Sequence, residues 1–271
     1  MLKLCPLLLV GFIFVSLDLC FGLTRDVVCD DGDGRFETTF VSGVKVTVGA
    51  TKSGPLAKRS CSAALTWKGQ ELRVAEGASQ VDVDLLGADL GFGVPVVAFQ
   101  IRKVAADWDM TYQIYSLQMP PRLLRTITGG DFFRAADTDL KGSIEIWTGD
   151  VRAISGFEGL SPGELDFAPP MVLRFKRNRL MDVSAEFQGQ FDAQIAKVRT
   201  EITAQDLSNF RDSDGKLSGA SSESVDRIHR LRTTKIKVLE IVWGYLYSGR
   251  DEDAWRALAD MWPPADFKHL N

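Results

Sequence analysis

The hydrophobic pattern divides the chain into two parts. Up to about residue 183, short runs alternate apolar and polar residues and are broken by Gly, Asp and Pro, which is typical of strands joined by turns. Residues 44–48 and 173–176 alternate in this way, whereas residues 94–99 are apolar throughout and predict a strand that is covered on both faces. We expect about ten strands, interrupted by one helical turn at residues 161–164, where Pro follows a serine that can cap it.

After about residue 184 the spacing of the apolar positions changes. They recur at intervals near four, and Gly and Pro become rare, so this part of the chain is predicted to be helical. A second helix is expected over residues 222–247 and a third over 252–261, which two prolines end. One stripe of the first helix carries four apolar residues, Phe187, Phe191, Ile195 and Val198.

The order of these patterns predicts an α+β protein. We expect a mostly antiparallel β domain over residues 23–183, either blade-like or a sandwich, followed by a helical domain of about three helices over residues 184–271. Composition agrees with a globular fold, because 45% of the residues are hydrophobic and 25% are charged.

The charge distribution limits the partners that the protein can have. Its formal net charge is -4, with acids and bases well mixed, whereas a nucleic-acid-binding domain concentrates its basic residues, so we expect no nucleic-acid partner. A basic cluster at a predicted strand and turn could contact an anionic surface, but a solvated face is the favoured interpretation. This cluster consists of Arg174, Lys176, Arg177 and Arg179.

The first 22 residues have the three-part plan of a secretory signal peptide. One cation, Lys3, precedes an apolar run over residues 4–17, and a small-ended stretch finishes at Gly22. The run is shorter than the ~20 residues that span a bilayer, so we expect cleavage after Gly22 and no transmembrane span afterwards. This predicts a secreted or periplasmic protein. An uncleaved anchor and a lipid-modified Cys20 are the alternatives.

The two cysteines that follow the signal, Cys29 and Cys61, would lie in an oxidising compartment. We predict a disulfide between them, and two buried free thiols are the alternative. No Asn-x-Ser/Thr acceptor is present, which fits a bacterial envelope.

The most informative motif lies at residues 137–145. Asp137, Asp139 and Glu145 stand at positions one, three and nine around a glycine at position six, a pattern that describes an oxygen cage for a hard cation such as calcium. Lys141 stands at position five, and its ammonium at the centre of the cage would neutralise the acids. We therefore expect a degenerate loop that needs no cofactor, and calcium binding is the alternative.

This stretch, around residues 131–146, resembles the FG-GAP or VCBS repeat of integrin-type β-propellers. In that repeat an Asp-x-Asp-x-Asp-Gly loop precedes a short strand, and Lys141 replaces the third aspartate here. A weaker match at residues 88–97 lies 48 residues upstream, about one blade, and a partial one lies at 31–37. The region is too short to close the usual ring, so a sandwich and a blade array completed by a partner both stay open.

The last helical pair resembles a single tetratricopeptide (TPR) repeat over residues 240–262. The resemblance implies two closely packed antiparallel helices, to which Trp243, Trp255 and Trp262 are expected to add buried area. The overall arrangement also resembles uncharacterised secreted bacterial proteins. The positions that carry the TPR resemblance are Tyr245, Gly249, Ala254 and Leu258.

Two patterns are typical of hydrolases. Residues 159–163 match a nucleophile elbow, but Pro162 has no N–H for an oxyanion, and the chain has only two histidines. Asp82 and Asp84 are two positions apart and so share one face of a strand, as a carboxylate pair would, although a solvated face is the favoured interpretation. We therefore expect no catalytic residue.

The sequence favours a non-catalytic interaction or scaffold protein of the bacterial envelope, with a protein partner. One alternative is a calcium-dependent adhesive module. If the Lys141 ammonium takes the place of the cation instead, as we expect, Lys141→Asp should create calcium binding that the wild type lacks. The other is a secreted hydrolase on the carboxylates Asp82, Asp84, Asp107 or Asp109, beside Trp108.

Overall fold

The computed structural model describes residues 28–51, 59–106, 108–155, 162–215 and 224–267. It confirms the α+β class, because three antiparallel sheets precede the helices along the chain. The predicted signal peptide at residues 1–22 lies outside the described residues. No helix in the described part is long and apolar enough to cross a membrane.

The described β region contains 13 strands, three more than the pattern predicts. The shortest ones span two to four residues, too few for an alternating pattern to be recognised. The strands are β1 Cys29–Asp30, β2 Arg35–Thr39, β3 Lys45–Thr51, β4 Ser60–Trp67, β5 Gln70–Ala78, β6 Gln80–Leu86, β7 Val96–Arg102, β8 Met110–Ser116, β9 Leu123–Gly130, β10 Arg134–Ala136, β11 Glu145–Gly149, β12 Pro170–Lys176 and β13 Arg179–Asp182.

The strands form three consecutive four-stranded meanders. Strands β2–β5, β6–β9 and β10–β13 each pair in sequence order, and β1 adds to the free edge of β6. Every pairing is antiparallel, so successive connections lie at alternate ends of each sheet.

The three sheets pack face to face, with β6–β9 in the middle. One face of β7 contributes Val97 and Phe99 to a core shared with β3 and β4, and the other contributes Ala98 to a core shared with β11 and β12. Residues 96–101 of β7 are all buried, which confirms the prediction of a strand covered on both faces. The outer face of the third sheet packs Trp147 against Phe187 and Phe191 of the helical region.

The described part of the helical region contains four helices of eight residues or more, one more than the sequence predicts. The predicted first helix is interrupted at residues 201–203, where the Thr203 hydroxyl accepts a hydrogen bond from Asp206 N and so caps a new helix. Two single turns, α1 Val151–Ile154 and α2 Pro162–Leu165, come earlier, and the latter lies where a helical turn is expected. The long helices are α3 Gln188–Thr200, α4 Ala204–Arg211, α5 Val225–Tyr247 and α6 Asp251–Met261.

The pair α5–α6 occupies the region that resembles a TPR repeat. Ala254 and Leu258 are buried between the helices, and Gly249 has a φ of +74°, which lets the chain reverse between them. The expectation for the tryptophans is correct for Trp262, which is fully buried, and wrong for Trp255, which is exposed because it lies on the outer face of α6.

A disulfide joins Cys29 of β1 to Cys61 of β4, as predicted, with the two Cα atoms 5.8 Å apart. Both residues are fully buried in the core between the first two sheets. The bond therefore ties the short edge strand β1 of the middle sheet to the neighbouring sheet.

Removal of this disulfide should destabilise the protein. The two cysteines lie 32 positions apart in the sequence, and closing a loop of that size stabilises a fold by about 3–4 kcal/mol in the chain-entropy model. We expect the variant with Cys29→Ala and Cys61→Ala to lose about that much unfolding free energy in urea. A reductant should destabilise the wild type equally and leave the variant unchanged. An unchanged unfolding midpoint in the double variant would contradict the assigned role.

Candidate functional site

The loop between β10 and β11 holds the predicted acidic motif. The carboxylate of Asp137 accepts hydrogen bonds from the backbone N–H groups of Lys141 at 3.0 Å and of Gly142 at 2.9 Å. The loop thus closes around Asp137. One oxygen of each of Asp137, Asp139 and Glu145 lies within 4.8 Å of the others.

Glu145 is fully buried, and both of its oxygens have partners. Oε1 accepts from Nε and Nη2 of Arg174 at 2.9 and 2.8 Å, and Oε2 accepts from the N–H and hydroxyl of Thr138 at 2.9 and 2.7 Å. The indole N–H of Trp147 in turn donates to the Thr138 hydroxyl. A buried carboxylate that has a charged partner at one oxygen and neutral donors at the other is stabilised in place.

The cation that joins the acids is Arg174, not Lys141. The Arg174 side chain is 18% exposed and also reaches Glu186 at 2.6 Å and Asp139 at 3.6 Å. The Lys141 side chain is 73% exposed and its ammonium contacts only Asp139, at 3.0 Å, among the ion pairs described. Lys141 therefore lies at the rim of the cage, where its hydrogen bond holds the pKa of Asp139 below its ordinary value.

A second loop repeats this geometry one sheet earlier. Asp89 lies between β6 and β7, and its carboxylate accepts from the N–H groups of Gly91, Phe92 and Gly93 at 2.7–3.0 Å. Asp137 and Asp89 each occupy the first hairpin of their meander and bond the amide four positions on. The third sequence match, at residues 31–37, leads instead into the first strand of its sheet, because its last three residues belong to β2.

The carboxylates considered for hydrolysis do not form an open pair. Asp84 is buried and accepts from the Tyr112 hydroxyl at 2.6 Å and from Ala135 N at 2.8 Å. Asp82 is buried too and accepts from Val28 N at 2.7 Å. The interpretation of these two acids as a solvated strand face is therefore wrong, since their hydrogen bonds join strands and sheets.

The remaining hydrolase candidates lie elsewhere. Asp109 is exposed directly before β8, and Asp107 lies outside the described residues. Trp108 packs against Gly163 of α2, where an added Cβ would lie 3.0 Å from the indole nitrogen. Residues 159–161 of the elbow-like stretch also lie outside the described residues.

A groove of about 1070 Å³ lies on the outer face of the first sheet, and we call it the β2–β5 groove. The inner face of this sheet carries the apolar core residues, so alternate positions point into the groove. Its floor consists of small residues from β3 and β4, namely Thr47, Gly49, Ser62 and Ala64.

Charged residues of the outer strands form the rims of the groove. Glu37, Thr47, Ala64 and Arg73 follow one another across the four strands, so opposite charges stand at the two ends of the row. The next row begins with Arg35 and crosses the floor to the part of β5 that carries Glu76.

The groove was not predicted, although its signal is present in the sequence. The polar members of the alternating runs in β3 and β4 are small and uncharged, and only the outer strands carry charges at the equivalent positions. The sequence does not show which strands are adjacent, so it could not bring these positions together.

Comparisons with known protein families, curated proteins and solved structures found no match to this chain.

Arg174 should contribute far more to stability than Lys141. Replacing Arg174 with Leu leaves the carboxylate of Glu145 buried without its cation, which we expect to cost about 3–5 kcal/mol in urea unfolding. The control Lys141→Met should change the unfolding free energy little, because the Lys141 side chain is largely exposed. Adding Glu145→Gln to the Arg174 variant should recover part of the loss. Equal losses in the two single variants would refute this assignment.

The melting midpoint of the wild type should be the same in calcium as in a chelator, because the Arg174 guanidinium already pairs with Glu145 and approaches Asp139. Lys141→Asp alone leaves the Arg174 guanidinium in place, so we no longer expect this single change to create calcium binding. We expect calcium stabilisation only when Arg174→Gln accompanies it. A calcium-dependent rise in the wild-type midpoint would contradict this view.

Proposed function

We propose that this protein is a non-catalytic interaction protein of the bacterial cell envelope and that the β2–β5 groove binds an extended segment of a partner protein. The observation that carries the proposal is the groove itself. Its floor of Gly, Ala and small hydroxyl residues lets a backbone approach closely, because no long side chain stands in the way.

The rims of the groove suit a polypeptide that carries charges of both signs. Arg73 pairs with Glu71 and Glu76 at 3.2 and 2.9 Å, and its side chain is largely exposed. On the opposite rim Glu37 pairs with Arg35 and Lys45. Exposed pairs of this kind contribute little to stability, so they can exchange partners when a charged segment binds.

The hydrolase alternative has less support. A glycosidase-like pair needs two accessible carboxylates about 5–10 Å apart, whereas Asp82 and Asp84 form buried hydrogen bonds to the backbone and to Tyr112. The calcium-dependent alternative rests on the loop of Asp137, in which Arg174 already neutralises the buried acid.

The proposed location rests on two features, the signal-like first 22 residues and the disulfide between Cys29 and Cys61. We also propose that the sheets are blade-like repeats related to the FG-GAP type. The equivalent positions of Asp89 and Asp137 in two successive four-stranded meanders support that relationship. The α5–α6 hairpin is likewise proposed to be a TPR-like unit.

Site-specific photo-crosslinking in the producing cells tests the groove. A benzoylphenylalanine residue at Thr47 should give a discrete adduct with one partner, because Thr47 lies on the floor. The same residue at Glu252, exposed on α6, should not give this adduct. Ala64→Trp would fill the floor and should remove the adduct at Thr47 while leaving the melting midpoint within a few degrees, since Ala64 points away from the core.

Two outcomes would overturn the proposal. One is the absence of any adduct at Thr47, and the other is the same adduct at Glu252 or its persistence with Trp at position 64. Arg73→Glu provides a second test, because it reverses the charge of one rim without filling the floor.

A further inference from the structure

Six hairpins meet at one end of the three-sheet stack, which we call the loop end. Alternate hairpins of an antiparallel meander lie at the same end of its sheet, so β2–β3 and β4–β5 share one end, as do the corresponding hairpins of the other sheets. Contacts between sheets show that these ends coincide. A Cβ on Gly87, after β6, would lie 3.1 Å from the Phe40 ring, and one on Gly43 would lie 3.8 Å from Met119 Sδ.

The third sheet reaches the same end. Gly91 of the β6–β7 loop lies against the carbonyl of Phe175, and the Arg125 guanidinium of β9 donates to the carbonyl of Asn178 at 3.1 Å. In the register of the sheet, Arg174 of β12 stands opposite Glu145 of β11, which stands opposite Ala136 of β10. Phe175 is therefore level with the start of the loop at Asp137.

Large apolar side chains are exposed at the loop end. Val41 is fully exposed at the tip of the β2–β3 loop, and Leu140 is 88% exposed at the tip of the β10–β11 loop. Large exposed apolar side chains that converge on one surface mark an interaction site. The others at this end are Leu86, Met119 and Leu123.

The backbone conformation of its loop holds Leu140 exposed. Its φ of +56° is a left-handed conformation that bulky residues rarely adopt. The following amide, Lys141 N, donates to both Asp137 and Asp139, and these bonds hold the backbone in that conformation. The loop therefore presents an apolar side chain to solvent at a cost in backbone strain.

Exposed cations surround these apolar tips. The β12–β13 turn contributes Lys176, Arg177 and Arg179, and the β8–β9 hairpin contributes Arg122 and Arg125. The sixth, Lys68, lies in the β4–β5 turn.

The acids of the loop end have partners within their own loops. Asp89 and Asp137 accept backbone N–H groups, and Asp139 pairs with Lys141. Glu71 of β5 pairs with Arg73. Backbone hydrogen bonds leave the negative charges of Asp89 and Asp137 in place, but the six exposed cations outnumber these two acids, so the net charge that the loop end offers to a large surface is positive.

We propose that the loop end binds the surface of an anionic lipid bilayer. Apolar tips that can enter the interface and Lys or Arg residues that can reach headgroups are the two contributions on which peripheral membrane binding depends. The tips come from separate loops of three sheets, an arrangement that suits a broad surface better than a single peptide. The inference is independent of the β2–β5 groove, which lies on the side of the stack.

Co-sedimentation with lipid vesicles tests this proposal on the purified protein. We expect binding to mixed phosphatidylglycerol and phosphatidylcholine vesicles, little binding to phosphatidylcholine alone, and loss at high salt. The variant with Val41→Asp and Leu140→Asp should bind at least roughly tenfold more weakly than the wild type, because each change removes an apolar anchor. The double variant Arg177→Glu and Arg179→Glu should bind the mixed anionic vesicles more weakly and should leave the weak binding to phosphatidylcholine unchanged.

The matched control is Val104→Asp, which changes a 55% exposed valine in the β7–β8 loop at the opposite end of the stack. It should bind like the wild type. Equal melting midpoints of the variants would show that they are folded. Absence of wild-type binding to anionic vesicles would overturn the proposal, and so would equal effects of Val104→Asp and of the loop-end variants.

Discussion

Burial of the sheet β6–β9 on both faces is the constraint on which the rest of the structure depends. Strand β7 has no solvent-facing position between Val96 and Ile101, so a second sheet must pack on each side of it. Every apolar residue on one face of β7 belongs to the core shared with β3 and β4, and the alternate ones belong to the core shared with β11 and β12. Helices cover the outer face of the third sheet through Trp147. Among the faces of the three sheets, the outer face of the first sheet is therefore the one left open for binding, together with the ends of the stack.

The features that depend on neighbouring residues in the chain were predictable from the sequence. The change from a period of two to one near four gave the order of strands and helices, and the apolar run at residues 94–99 predicted a doubly covered strand. The disulfide followed from the presence of only two cysteines after the predicted signal peptide. Helix α4 was missed because the Thr203 cap interrupts a helix whose apolar stripe continues past it.

The features that depend on distant residues were not predictable in the same way. The local pattern placed Lys141 in the acidic cage, but Arg174 comes from a strand about 30 positions further on and is brought beside Glu145 only by the pairing of β11 with β12. The polarity of Asp84 likewise indicated solvent exposure. Its partner Tyr112 lies two strands away in the same sheet, and Ala135 lies in the next sheet.

The outer face of the first sheet also limits how the stack can extend. A fourth sheet would need an apolar face such as the one that β6–β9 presents to each of its neighbours, since packing between sheets depends on buried apolar side chains. Thr47 and Ser62 stand there instead, and the charged pairs of Arg35 and Arg73 flank them. Burying those charges under a sheet would cost more free energy than burial of the small floor residues would contribute. The face therefore suits a narrow polar ligand, and a partner that completed a ring of blades would have to begin at another surface.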